Sequence, residues 1–156
     1  MKLKMIAVIG LLAGLAAFAS AGEVKINTTE VNGRLVDDID LPFVNDAAVL
    51  GEWVSVDFVK EPELFVPGKR NFQGDLYLKG LKFKAKGKMG LLPDGEKAVP
   101  WFAWTKGVVM HLGGDHSASR YTINEINGAS YLFFEWKSGD YIIKHQKPQY
   151  YVLKRK

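Results

Sequence analysis

The sequence predicts an all-β fold, an antiparallel up-and-down meander of about eight strands that closes into a barrel. From Gly51 onward, short runs rich in Trp, Tyr, Phe, Val, Ile and Thr follow a period of two. Gly, Asp, Asn and Pro separate these runs, and after residue 21 no apolar stripe of helical period extends over three turns. Tight turns favour a closed meander, which has no exposed edges. A sandwich with longer crossovers is the alternative, and coordinates are needed to separate the two.

The expected strands follow one another with little chain between them. They span residues 51–59, 75–86, 98–105, 106–112, 118–126, 129–137, 140–145 and 149–154. Turn sequences separate several of these runs, namely Pro93-Asp94-Gly95, Gly113-Gly114-Asp115, Asn127-Gly128 and Ser138-Gly139. Asn127-Gly128 is the strongest of them, because both residues readily adopt the positive φ of a tight hairpin turn. A short helical turn is expected within residues 61–66.

Residues 1–21 have the pattern of a secretory signal peptide. Lys2 and Lys4 form a positive n-region, and the run from Met5 to Ala19 is almost entirely apolar and ends in small residues. We expect cleavage after Ala21 and export to the periplasm or the medium. No integral membrane span is expected after cleavage, because the run is shorter than the roughly 20 apolar residues that a span needs.

The rest of the chain divides into an N-terminal extension and one domain. Residues 22–46 are polar and are expected to form an extension or linker, with one short strand that carries Val24, Ile26 and Val31. Residues 47–156 are expected to form the β-barrel domain.

Composition excludes several classes of function. The chain has no Cys, which excludes thiol catalysis, thiolate metal sites and disulfides. Its formal net charge of +4 falls by two when Lys2 and Lys4 leave with the signal peptide. So weak a positive balance argues against a nucleic-acid partner, which calls for a strong basic patch.

The two ends of the expected barrel carry a recognisable pattern. Gly51-Glu52-Trp53 opens the first strong strand, and the basic residues Lys154 and Arg155 end the last one. This pairing resembles the calycins, the group of the lipocalins and fatty-acid-binding proteins. The resemblance implies structural roles for Gly51, Trp53, Lys154 and Arg155, with the Trp53 ring closing the barrel base beside one of the two cations.

Strand alternation conflicts with that placement. Val54, Val56 and Phe58 lie on the strand face opposite Trp53. In a regular strand, either the tryptophan or the apolar set points into the barrel, but not both.

A closer similarity covers Asp40 to Lys156. The segments that carry it are Leu41-Pro42-Phe43-Val44-Asn45-Asp46, Gly51-Glu52-Trp53, Gly74-Asp75-Leu76-Tyr77-Leu78-Lys79, Trp104-Thr105-Lys106-Gly107 and Phe133-Phe134-Glu135-Trp136-Lys137-Ser138-Gly139-Asp140-Tyr141. They resemble a bacterial lipocalin-like module of unestablished function that is often appended to sensor or regulator proteins. Here the similar segment is expected to stand alone behind a signal peptide, so regulatory roles of larger relatives do not carry over.

Aromatic side chains give the leading hypothesis for function. Rings that share strand faces can line an apolar cavity, in which Arg120 or Lys106 orients a polar head group. We therefore predict an exported, non-enzymatic binding domain that holds a small apolar or amphipathic ligand. The predicted ligand-binding residues are Trp104, Arg120, Tyr121, Phe134, Trp136 and Tyr150. The alternative for each ring is that it only fills the barrel.

A second hypothesis places the function on the outer surface. Lys82, Lys84, Lys86 and Lys88 alternate with Phe83 and Ala85, which on a strand puts all four charges on one face. Such a strip is either a solvated outer face or a surface for a protein or an anionic envelope polymer.

A third hypothesis is a hydrolase built on the histidine-containing loop. Its candidate metal ligands are His111, Asp115, His116 and His145. Ser117 and Ser119 lie near in sequence, and Glu135 and Asp140 form a candidate carboxylate pair. The spacings match no nucleophile or zinc motif, so we assign no catalytic residue, metal ligand or cofactor.

Overall fold

The computed structural model describes residues 24–95, 97–114, 116–137, 147 and 149–156. Within these residues the strands are Thr28–Val31 (β1), Arg34–Asp37 (β2), Gly51–Val59 (β3), Gly80–Phe83 (β4), Met89–Leu91 (β5), Phe102–Thr105 (β6), Val108–His111 (β7), Ser117–Ile126 (β8), Ala129–Trp136 (β9) and Gln149–Arg155 (β10), with one 3-10 turn at Pro62–Leu64. The signal peptide at 1–21, the strand at 140–145 and the Ser138-Gly139 turn lie outside the described residues. In the part of the chain that is described, no helix has the length and apolar character to span a bilayer.

Eight of these strands form one antiparallel sheet that is nearly closed. Their order is β5-β4-β3-β10-β9-β8-β7-β6. Strands that are neighbours in sequence pair with one another except β5 and β6, and the last strand, β10, pairs with β3, the first strand of this sheet. Only the seam between β5 and β6 lacks a ladder, and the bridge between Lys88 and Ala103 spans it. The expected up-and-down meander barrel is confirmed.

The prediction that four lysines share one strand face is wrong. β4 ends early, and the chain turns over residues 84–88, where Lys86 has a φ of 59°. Of the four lysines, only Lys82 lies in a strand, and its Nζ is 3.2 Å from a carboxylate oxygen of Glu52. The four charges therefore do not share one strand face.

A bulge in β3 resolves the conflict over the face of Trp53. The register between β3 and β10 shifts so that Val56 has no partner of its own. A bulge adds one residue to one strand and so reverses the alternation beyond it. Trp53 before the bulge and Phe58 after it both pack in the barrel interior, while Val56 packs outside.

Trp53 closes one end of the barrel. Its ring is fully buried, and its indole N–H donates to the Val49 carbonyl at 2.7 Å. The Arg155 guanidinium lies over the ring, 4.3 Å from its centroid, and donates to the carbonyls of Ala48 and Leu50. The cation–π contact and these hydrogen bonds tie β10 to the residues that precede β3.

The other two residues of this motif have different positions. Gly51 begins β3 with a φ of 113°, a conformation that residues with a side chain rarely adopt. Lys154 is exposed on the outer wall and does not contact the Trp53 ring as Arg155 does.

The N-terminal extension forms a hairpin, β1–β2, against the outer wall. The second strand, Arg34–Asp37, was not expected from the sequence, and Val24 and Ile26 precede the first strand rather than belong to it. Apolar residues of the extension cover the outer face of β7 and β8, the contacts being Val24, Ile26, Ile39 and Leu41 against Val108, Met110 and Ala118. β7 is therefore buried on both faces.

Asp37 fixes the hairpin to the barrel. Its buried carboxylate accepts hydrogen bonds from the Ala118 N–H at 2.9 Å, Lys137 Nζ at 2.9 Å and the Thr28 hydroxyl at 2.6 Å. Burial alone would raise the pKa of Asp37, but these hydrogen bonds and the Lys137 charge outweigh it and hold the pKa below its ordinary value.

We expect Trp53→Ala to lower the free energy of unfolding by about 3–5 kcal/mol, because it removes a fully buried ring and leaves a void. Urea unfolding of the full chain measures this. Trp101→Ala is the matched control, since that ring is 53% exposed. Equal urea midpoints for the Trp53 variant and the wild type would contradict the structural role.

We expect Asp37→Asn to destabilise the protein by about 1.5–3 kcal/mol at neutral pH, the range for hydrogen bonds to a charged group. Because the folded pKa of Asp37 is depressed, its contribution is complete above the ordinary value of 3.8 and is lost as the pH falls through the folded pKa. The difference in melting temperature between variant and wild type should therefore narrow below about pH 4. A gap that stays constant into acid would show that ionisation of Asp37 does not matter.

Candidate functional site

The two ends of the barrel interior differ. At the end closed by Trp53, large buried side chains pack against one another. Phe83 meets Trp104 edge-on at 5.9 Å and Tyr121 at 5.6 Å between ring centroids, and Met89 is fully buried beside them. We call this end the base. The connections β4–β5, β6–β7 and β8–β9 turn there.

A cavity of about 400 Å³ occupies the other end. Its walls are apolar side chains from five strands, namely Leu81, Leu91, Phe102, Val109, Phe134 and Trp136. Tyr77 and Trp101 stand at its mouth and are 83% and 53% exposed. The cavity is therefore an apolar chamber with an aromatic rim that reaches solvent.

The long connection between β3 and β4 forms one side of this chamber. Leu76 and Leu78 from this connection are buried in the interior cluster, although the sequence places them within a strand. The Leu78 N–H donates to the Tyr151 hydroxyl at 3.3 Å. The end of the connection thus lies across the barrel instead of extending β4.

Asp57, next to the bulge, anchors that connection. Its carboxylate accepts the backbone N–H groups of Asn71 and Phe72 at 3.0–3.1 Å and the Asn71 side-chain amide at 2.8 Å. Burial alone would raise the pKa of Asp57, but these hydrogen bonds outweigh it and keep the pKa below its ordinary value. The charged form of Asp57 is therefore the one that holds the connection in place.

A polar recess adjoins the cavity, and three residues of the histidine-loop hypothesis border it. The buried residues Ser117 and Ser119 line it with Lys137. His111 borders both the recess and the cavity, and its ring stacks on Phe102 at 4.8 Å with an interplanar angle of 30°. Hydroxyl, imidazole and ammonium groups thus lie at one end of an apolar chamber, which suits a ligand with a polar head.

The structure brings two of the sequence-predicted ligand residues to the cavity. Phe134 and Trp136 lie on its wall. Trp104 lies at the base, 1% exposed, and its indole N–H donates to the carbonyls of Lys84 at 2.8 Å and Lys88 at 2.9 Å. Its ring fills the closed end and is not part of the cavity wall.

Tyr121 also belongs to the base. Its hydroxyl donates to Asp46 Oδ2 at 3.0 Å. Burial and the neighbouring carboxylate of Asp46 raise the pKa of Tyr121, although a backbone hydrogen bond involving Gly107 opposes them. This contact ties the segment before β3 to β8.

The remaining predicted residues lie outside the interior. Arg120 lies between the inward-facing Ser119 and Tyr121, so its side chain is on the outer face of β8. Its backbone N–H donates to Glu135 Oε2 at 2.9 Å. Tyr150 packs in an outer cluster, where burial and then the charge of Glu135 raise its pKa.

Lys106 is in the turn between β6 and β7, and its N–H donates to the Val44 carbonyl at 2.9 Å. It therefore lies at the base, at the end away from the cavity.

No metal cluster supports the histidine-loop hypothesis in the described part of the chain. There, no three His, Asp or Glu side chains come close enough together to hold an ion. The candidate ligands Asp115 and His145, and Asp140 of the carboxylate pair, lie outside the described residues.

Comparison with protein-family models, with curated proteins and with solved structures finds no match for this chain.

We expect Asp57→Ala to release the connection that borders the cavity. The backbone N–H groups of Phe58, Asn71 and Phe72 and the Asn71 side-chain amide lose their acceptor. Each group that stays buried costs about 1–3 kcal/mol, so the free energy of unfolding should fall by about 2 kcal/mol or more. Amide hydrogen exchange over residues 71–79 should accelerate, and mass spectrometry measures it. The exposed Asp75→Ala is the control, and equal exchange in the two variants would contradict the anchoring role of Asp57.

Proposed function

We propose that this protein is a non-enzymatic binding domain that holds one small apolar or amphipathic ligand in the open end of a lipocalin-like barrel. The observation that carries the proposal is the chamber of about 400 Å³ walled by leucines and aromatic rings. Its size falls within the roughly 300–1,000 Å³ of small-molecule sites, and its composition, mostly apolar with a few convergent polar groups, is typical of them.

The division of the interior supports the lipocalin-like interpretation. A barrel of about eight strands is just wide enough to be filled by side chains or to hold one small ligand. Here the base is filled and the other end is hollow, and the Trp53–Arg155 contact lies at the filled base. That is where the resemblance to the calycins puts a first-strand tryptophan beside a last-strand cation.

The polar recess suggests how the ligand is oriented. An apolar body would contact Leu81, Leu91 and Phe134, and its polar end would point toward the recess beside His111. Lys137 is already paired with Asp37 at 2.9 Å, so the recess can offer hydrogen bonds without presenting an uncompensated charge. We therefore favour a neutral or weakly polar head group over a strong anion inside the barrel.

We also propose that the domain works after export, with residues 1–21 removed. The experiment that tests both parts is native mass spectrometry of the protein purified from the envelope and medium of the organism that encodes it. The expected result is a chain that begins at Gly22 and carries one additional small mass. A chain that retains residues 1–21 would refute export, and a mature chain without added mass would argue against a retained ligand.

Binding in the cavity is tested by titration of the full mature chain with the neutral alcohol 1-dodecanol and with the neutral dye N-phenyl-1-naphthylamine. We expect saturable binding of one molecule per chain, with a change in tryptophan emission because Trp136 and Trp101 border the cavity. Leu91→Trp should abolish it by filling the chamber, and Trp136→Ala should weaken it.

Lys84→Ala is the matched control for these cavity variants, because this residue belongs to the β4–β5 turn at the base. Binding that survives Leu91→Trp, or that falls equally in the Lys84 variant, would place the ligand outside the cavity and overturn the proposal.

A further inference from the structure

A groove of about 330 Å³ lies on the outer wall of the barrel. It runs between the loop after β3 and the outer face of the sheet, and Tyr131 and Lys154 form part of it. Tyr131 belongs to the outer cluster, whereas Phe134 of the same strand faces the cavity, so the sheet separates the two sites. We propose that this groove binds a small organic anion, a carboxylate or phosphate carried on a ring-sized apolar body.

The loop that forms one side of the groove is fixed in two ways. Val66 and Lys69 form a bridge across a tight turn, with the Lys69 N–H donating to the Val66 carbonyl at 3.0 Å and Gly68 at a φ of 82°. Just before the turn, Phe65 packs on Tyr131 with ring centroids 4.9 Å apart. The cations that follow the turn are therefore held over the sheet by a defined backbone.

Three cations and no carboxylate line the groove. Lys69 and Arg70 come from the loop, and Lys154 comes from β10, directly opposite Tyr131 in the strand register. Among the described residues, neither lysine forms an ion pair. Positive charges around one concave surface raise the electrostatic potential there, and this potential attracts an anion.

Asp57 and Asp75, which lie on the two sides of residues 66–70 in the chain, are already engaged. Asp57 accepts hydrogen bonds from Asn71 and Phe72, and Asp75 lies 2.6 Å from Lys79 Nζ. Asp75 also feels the charge of Arg70, whose Nη2 donates to the Gly74 carbonyl at 2.8 Å. This hydrogen bond fixes the guanidinium while its other N–H groups keep their capacity to donate.

The floor of the groove decides between a bare ion and an organic one. Val56, Phe65 and Tyr131 give it an apolar surface with two aromatic rings. Within the described part of the chain, the Tyr131 hydroxyl makes no hydrogen bond, so it is free to donate to a ligand. The volume lies at the lower end of the range for ligand sites, which fits a compact aromatic body of one or two fused rings with its anionic group.

A peptide strand fits this wall less well. Strands β9 and β10 each pair with neighbours on both sides, so they offer no edge for an added strand. Side-chain contacts would have to supply the whole affinity, and the groove provides them over one compact area.

The test is calorimetric titration with 2-naphthoate of the full mature chain, whose cavity has been saturated beforehand with the neutral 1-dodecanol. We expect one saturable site that weakens with added salt, and much weaker binding of the uncharged 2-naphthamide and of inorganic phosphate. Lys69→Met and Lys154→Met should each weaken binding by up to about fivefold, the range for a solvent-exposed ion pair. Lys106→Met, which removes the same charge at the base, should leave it unchanged.

Four results would overturn the proposal. Two of them concern the ligands, namely equal binding of 2-naphthoate and 2-naphthamide, and equal binding of 2-naphthoate and inorganic phosphate. The third is an equal effect of Lys106→Met and Lys154→Met. The fourth comes from a titration with the acidic polymer polygalacturonate, namely binding that depends on the groove lysines while 2-naphthoate does not bind. The last of these would assign the groove to an acidic polymer instead. Because the groove lies outside the barrel, Leu91→Trp should leave naphthoate binding intact, so failure of the cavity proposal and failure of this one are distinguishable.

Discussion

The pairing of β3 with β10 is the interaction on which the rest of the structure depends. It joins the two ends of the meander, and its bulge at Val56 lets Trp53 and Phe58 both point inward. Beside the same bulge, Asp57 holds the connection that borders the cavity. Trp53 of β3 and Arg155 of β10 close the base. Both the closed base and the β3–β4 connection beside the cavity therefore depend on the pairing of β3 with β10.

Turn chemistry and a period of two were enough to predict the fold class, but not every element. Asn127-Gly128 marks the hairpin where β8 ends and β9 begins. Asn32-Gly33 is the same signal and could have revealed the N-terminal hairpin, yet the short polar strands around it gave no apolar alternation. The prediction of a strand over residues 75–86 was wrong at its start. The apolar residues before Gly80 belong to a connection that crosses the barrel, and they are buried in the interior without being part of a strand.

Alternation along a strand predicts the face of a side chain but not its height in the barrel. Phe102 and Trp104 share the inner face of β6, yet only Phe102 reaches the cavity, while Trp104 fills the base. Phe134 and Trp136 line the cavity because they lie toward the hollow end of their strand. The sequence grouped His111 with Ser117 and Ser119, but only the pairing of β7 with β8 shows that they line one recess beside the cavity.

The seam between β5 and β6 makes the barrel wall unequal in strength. One bridge and the indole of Trp104, which donates to carbonyls of the β4–β5 turn, do there what ladders do elsewhere. Local opening proceeds where the fewest contacts must break. Leu91 and Phe102 stand on the two sides of this seam and also face the cavity. The wall of the hollow end should therefore open first along this seam, so the width of the chamber depends on the distance between β5 and β6 more than on the closed base.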